Sequence, residues 1–201
     1  MKAVRTLPNG YVYSREIDLS RNVKLTLLLN FAGVGLFLFF GWLFLNLGAY
    51  LRRITPLALR MSSQPPSTLE IILETLAAFL LALTLHEAVH GMFFFLITRD
   101  RPIFGFRGAF AYAAAPGWFI ARNPYLVVGL SPFILISLAG LAATIIVPEK
   151  LFLPLLFGLT INASGAIGDL YIIGWLLGQP VEALINDRGD DITVYFPVEM
   201  V

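Results

Sequence analysis

Residues 69–98 read LEIILETLAAFLLALTLHEAVHGMFFFLIT, and their only ionisable side chains are Glu70, Glu74, His86, Glu87 and His90. A helix needs about 20 predominantly apolar residues to cross a bilayer, so this stretch is long enough to span one. Its ends are marked by breakers: Ser62-Ser63-Gln64-Pro65-Pro66-Ser67 precedes it and Arg99-Asp100-Arg101-Pro102 stops it. The pattern predicts a transmembrane helix over 69–98 that carries two imidazoles and a carboxylate in its interior.

Three more segments share this character. Between Leu25 and Leu51 the only ionisable group is Tyr50, which predicts a helix over 24–51. It starts too late and runs too long for a secretory signal, and is expected to stay in the mature protein. The segment 124–147 is charge-free and, after its first residue Pro124, holds one proline, Pro132, which a membrane helix accommodates as a kink. The segment 151–177 is interrupted only by Asp169, and Pro148-Glu149-Lys150 joins it to its predecessor as an antiparallel hairpin. The expected fold class is an all-α integral membrane protein, a single domain over 1–201 with about four transmembrane helices and a tail over 178–201.

Composition supports this reading. Of the 201 residues 58% are hydrophobic and 13% charged, with a mean hydropathy of +0.79, against about 25% charged residues in an ordinary soluble domain. A water-soluble enzyme and a disordered chain are excluded. A net charge of +1 gives no field to attract nucleic acid. Lys and Arg number five up to Lys24 at the start of the first helix, four between the second and third and one after the fourth; the other side has Arg52, Arg53, Arg60 and Lys150. Ten against four predicts cytoplasmic N and C termini in a multi-pass protein.

The chain has no cysteine and two histidines, so any metal must be held by imidazole and carboxylate. His86-Glu87-Ala88-Val89-His90 is an H-E-x-x-H motif. On a helix, residues four apart share a face, so both imidazoles can bind one metal while Glu87 reaches its water as general base. A catalytic zinc site needs a third protein ligand. Asp169 is the one acid deep inside another span, at a depth similar to that of the two histidines. Zn2+ with two neutral imidazoles and two carboxylates is electrically neutral, whereas an unpaired carboxylate in hydrocarbon costs about 3 kcal/mol or more.

Asn162 lies seven residues before Asp169 and on nearly the same helical face. Two readings of it stand side by side: a substrate-binding group for a carbonyl or oxyanion, and a polar contact between helices. Gly165 and Gly168 are expected to let this helix approach the second one closely. In the loop between helices two and three, Phe104, Phe106, Phe110 and Tyr112 occur at even spacing. Ala115-Pro116-Gly117 then supplies a turn before Trp118, which reads as a short β-hairpin at the membrane surface. Such an edge could bind an extended substrate or serve as an aromatic anchor. The tail contains a possible strand over 192–196, but its acids favour a solvated cap.

His86-Glu87-x-x-His90, the aromatic loop, Ser131-Pro132 and Asn162-x-Ser164-Gly165-x-x-Gly168-Asp169-Leu170 together resemble the zincin peptidases of bacterial membranes, over roughly Thr75 to Pro197. A more distant similarity is to the site-2 proteases, intramembrane zinc enzymes with H-E-x-x-H on one helix and an aspartate ligand on a later one. The resemblance implies His86, His90 and Asp169 as metal ligands, Glu87 as general base and a bacterial cell membrane as the location. The prolines that surround the aspartate in site-2 proteases are missing here, as is the glycine after it.

The expected function is a membrane zinc metallopeptidase that acts on a membrane-associated peptide or protein. A non-catalytic protein with a structural or sensory zinc, and a metal or proton carrier, are the alternatives.

Overall fold

In a computed structural model, residues 3–18, 22–55, 67–107, 110–189 and 191–200 are described. The elements run β1 (Tyr11–Asp18), α1 (Val23–Ile54), α2 (Thr68–Thr98), β2 (Ile103–Arg107), β3 (Phe110–Ala114), β4 (Ile120–Ala121), α3 (Arg122–Ala143), α4 (Glu149–Gly165), α5 (Ile167–Leu177), β5 (Leu184–Asp187) and β6 (Asp191–Pro197). Val23–Ile54, Thr68–Thr98, Arg122–Ala143 and Glu149–Leu177 are long and apolar enough to cross a membrane. The four expected segments are thus helical. The breaker residues 62–66 and Arg60 lie outside the described residues.

Local chemistry sets the helix starts. Asn22 Oδ1 accepts the Leu25 N–H at 3.1 Å at the head of α1. Ser67 and Glu70 form a reciprocal cap on α2: the Ser67 N–H donates to Glu70 Oε2 at 2.7 Å and the Glu70 N–H to Ser67 Oγ at 3.3 Å. The pair satisfies two backbone donors that would otherwise lack partners. At its other end α2 stops at Arg99, which turns into the left-handed region with φ 58°.

Two compact units divide the chain. One comprises Phe31–His86 and Pro132–Ile167 and is helical. Its core is Phe44, Phe152, Leu156, Leu159 and Ala163, with Phe40 stacked on Phe44 and edge-on to Phe133. Close helix approach in this unit occurs at Gly140, where Leu159 fills the space of a Cβ, and at Gly158, whose Cβ position is 3.3 Å from the Ala78 carbonyl. Gly165 and Gly168, expected to serve that purpose, meet nothing within 4 Å. They flank a break instead, because the single helix expected over 151–177 is two, with α4 ending at Gly165 and α5 starting at Ile167.

The other unit comprises Met1–Asn30, Glu87–Ser131 and Gly168–Val201. It contains a four-stranded antiparallel sheet in the order β1-β6-β5-β4 and the separate pair β2-β3. An all-α class is therefore too narrow, and the tail is not a solvated cap. Ile192, Val194 and Phe196 alternate into a core with Ile120, Leu176 and Ile185. Asp187 ends β5 and Asp191 opens β6, so two of the acids that suggested solvation belong to the sheet, and Gly189 between these strands adopts φ 104°. The expected hairpin after α2 is present, with Ile103 opposite Ala114 and Arg107 opposite Phe110. Its connection is Gly108-Ala109, outside the described residues. The Ala115-Pro116-Gly117 turn comes after β3, closed by the Trp118 N–H on the Ala115 carbonyl at 3.0 Å.

Candidate metal centre

His86 and His90 sit one turn apart on α2, and both are buried. The Nδ1 of each faces a hydrogen-bond acceptor. His90 Nδ1 is 3.1 Å from the Val128 carbonyl, which can only accept, so this nitrogen carries the proton. His86 Nδ1 is 3.0 Å from Asn162 Oδ1. The orientation of that amide is fixed by its other end, because Asn162 Nδ2 donates to the Pro132 carbonyl at 3.3 Å. Both imidazoles are thereby held as Nδ1–H tautomers with the lone pair on Nε2, the state that a metal requires.

The acceptor for His90 arises from a proline. Within a helix, the carbonyl four residues before a proline loses its backbone donor, and Val128 stands four before Pro132 in α3. Its oxygen accepts instead from His90 and from Ser131 Oγ at 2.7 Å. In sequence Pro132 reads only as a kink. The i−4 rule applied to it points to Val128.

Asp169 owes its place to the break in the fourth span. Ala166 ends α4 and returns its N–H to the Asn162 carbonyl at 3.1 Å, and Asp169 falls in the first turn of α5. A carboxylate is favoured at that helix position by the unpaired N–H groups and the dipole. Its Oδ1 is 3.4 Å from His90 Nε2. One ligand atom from each of His86, His90 and Asp169 lies within 4.8 Å of the others, close enough for one ion to touch all three. Glu87 is half-buried on α2. Asn162 is buried at 2% exposure, its amide engaged by His86 and Pro132.

Two imidazoles in a fixed tautomer with one carboxylate suit zinc: they supply three N/O ligands and leave a fourth position for water. The residues present therefore fit this metal. A mostly helical chain with, among the described residues, four membrane-length helices and a His-His-Asp trio able to hold an ion is the class defined so far. Residues 79–184, more than half of the chain, match the family described as "Putative zincin peptidase", and the chain belongs to that family. No curated protein and no solved structure matches it.

Proposed function

We propose that this chain is an integral membrane zinc metallopeptidase that hydrolyses a peptide bond in or near the bilayer. The observation that carries the reading is the convergence of His86, His90 and Asp169 within 4.8 Å, with both Nδ1 atoms engaged by acceptors so that the ligating nitrogens are preset. Zinc held there supplies Lewis acidity and an acidified water. Glu87, adjacent to the first histidine, takes a proton from water as general base and returns it to the departing amine as general acid. Membrane residence is supported by large apolar side chains left exposed along α1, among them Phe31 at 77% and Trp42 at 62%; surfaces of this kind need lipid or a partner to cover them.

The substrate on this reading is a membrane-associated peptide in extended form. The Phe104 ring of β2 occupies the space that a Cβ on Gly91 would need, and Gly91 directly follows His90. That seats the β2-β3 pair beside the motif, where β2 can add a substrate strand. The likeness to site-2 proteases rests on the sequence pattern alone.

The experiment uses the purified full chain and a membrane-tethered peptide library. Glu87→Gln should retain zinc and lose cleavage, since an amide accepts no proton at neutral pH. A structural or sensory zinc protein, or a carrier, would show no cleavage by the wild type. Unimpaired cleavage by Glu87→Gln would remove Glu87 from the mechanism.

A further inference from the structure

Asp187 is a buried carboxylate that the proposed reaction does not use. It ends β5 at 6% exposure, and both of its oxygens are engaged. Tyr125 donates its hydroxyl to Oδ2 at 2.6 Å, and the Gly189 N–H donates to Oδ1 at 2.8 Å. Gly189 is confined to this geometry by its positive φ and by the Tyr112 ring, which lies where a Cβ would stand. Burial pushes the Asp187 carboxyl up to about 6, against the downward pull of Tyr125 and Gly189; His90 and Asp169 also act on it electrostatically.

The tyrosine continues this connection into the site. Tyr125 precedes Val128 by three residues on α3, so the two share a face. Its ring lies against Phe94 with centroids 6.3 Å apart, and Phe94 follows His90 by four residues on α2. Two levels of α3 thus meet two levels of α2: Tyr125 on Phe94, and the Val128 carbonyl on His90 Nδ1 at 3.1 Å. All of these residues belong to the same compact unit.

We infer that Tyr125 and Asp187 are positioning residues, which hold α3 so that Val128 keeps His90 in its ligating tautomer and orientation. The four-stranded sheet, outside the membrane-length helices, thereby governs metal binding. Removing an outer partner of a metal-bound histidine costs about 10–100-fold in affinity, which sets the expected size of the effect. This inference rests on the metal-site reading above.

The test measures zinc affinity by competition with a chromophoric chelator, and the visible spectrum of the cobalt-substituted protein, on the full chain in detergent. Tyr125→Phe keeps the ring on Phe94 and removes the hydroxyl; it should lose at least about tenfold in zinc affinity and alter the cobalt bands. Asp187→Ala reads the same connection from its other end, should the first variant not fold, and is expected to match it. Asp187→Asn can donate its amide to the Tyr125 oxygen while accepting from Gly189, and should bind zinc within about threefold of wild type. Ile192→Val, in the same core, should leave both readouts unchanged. Wild-type affinity and spectrum in both Tyr125→Phe and Asp187→Ala overturn the positioning role. Absence of zinc and cobalt binding by the wild type overturns the metal site as well, so the two failures are told apart.

Discussion

The side-chain carbonyl of Asn162 lies 3.0 Å from His86 Nδ1, and the same amide is anchored at 3.3 Å to the carbonyl of Pro132. On the proposed metal site, Asn162 orients the ligand His86. Asn162→Ala should lower zinc affinity by about 10–100-fold while the protein still folds, as read by chelator competition. Asn162→Asp, which still accepts from His86, should recover most of the loss. Unchanged affinity in the alanine variant would return Asn162 to a purely helix-joining role.

The apolar helical segments and the trio His86, His90 and Asp169, able to hold an ion, could be read from the sequence because each rests on a local rule: apolar length for the segments, the four-residue period for His86 and His90, and the cost of a lone acid in hydrocarbon for Asp169. The sheet was not readable in the same way. Its strands β1 and β6 are separated by nearly the whole chain yet pair from Tyr11 on Pro197 to Asp18 on Asp191, and no periodicity names a partner that distant. Asp187 was hidden for a related reason. It stands in an acid-rich stretch that suggests solvent, and only the long-range meeting with Tyr125 makes it a buried group. Asn162 showed its polarity and its face, but its acceptor role toward His86 needed the Pro132 carbonyl to fix the amide.

Pro132 offers a counterintuitive expectation. Replacing a proline inside a helix by alanine ordinarily stabilises it, by about 3 kcal/mol on propensity scales. Here Pro132→Ala restores an N–H that competes with His90 for the Val128 carbonyl. The variant should withstand denaturation at least as well as wild type and bind zinc about tenfold more weakly. Equal zinc affinity would show that Val128 can serve both donors.

The buried carboxyl of Asp187 gives a pH dependence with a definite sign. Its folded value of about 6 lies above the usual unfolded value near 3.9, so between those limits the folded state binds more protons. The destabilisation from the buried charge is therefore full above pH 6 and is relieved as pH falls toward 4. Tyr125, His90 and Asp169 are the titratable groups that act on it. In metal-free protein, the stability of Asp187→Asn relative to wild type should fall by on the order of 3 kcal/mol between pH 7 and pH 4. Denaturation curves at both pH values measure this, and a difference that does not change with pH would show that the carboxyl is not desolvated in solution.

The metal centre is proposed to be reached from the cytoplasmic side of the membrane. With ten Lys and Arg on the termini side against four on the other, the termini are proposed to be cytoplasmic, and α2 then enters from outside. At 1.5 Å of rise per residue, His86 lies about 26 Å and His90 about 32 Å from Leu69. Against a hydrocarbon core near 30 Å, the ligands fall in its cytoplasmic part even with moderate tilt. Asp169, about 27 Å along the fourth span from Leu151, reaches the same depth by a separate count. Water and the released product would then exchange with the cytoplasm. Because the chain has no native cysteine, single cysteines report sidedness without background. The exposed positions Phe106 on β2 and Leu177 at the end of α5 suit the inner face, and Lys150 in the first turn of α4 suits the outer. Phe106→Cys and Leu177→Cys should react with an impermeant thiol reagent only in inverted vesicles, and Lys150→Cys only in intact cells. The opposite labelling pattern would place the metal centre toward the outer face, and water and product would then exchange on that side.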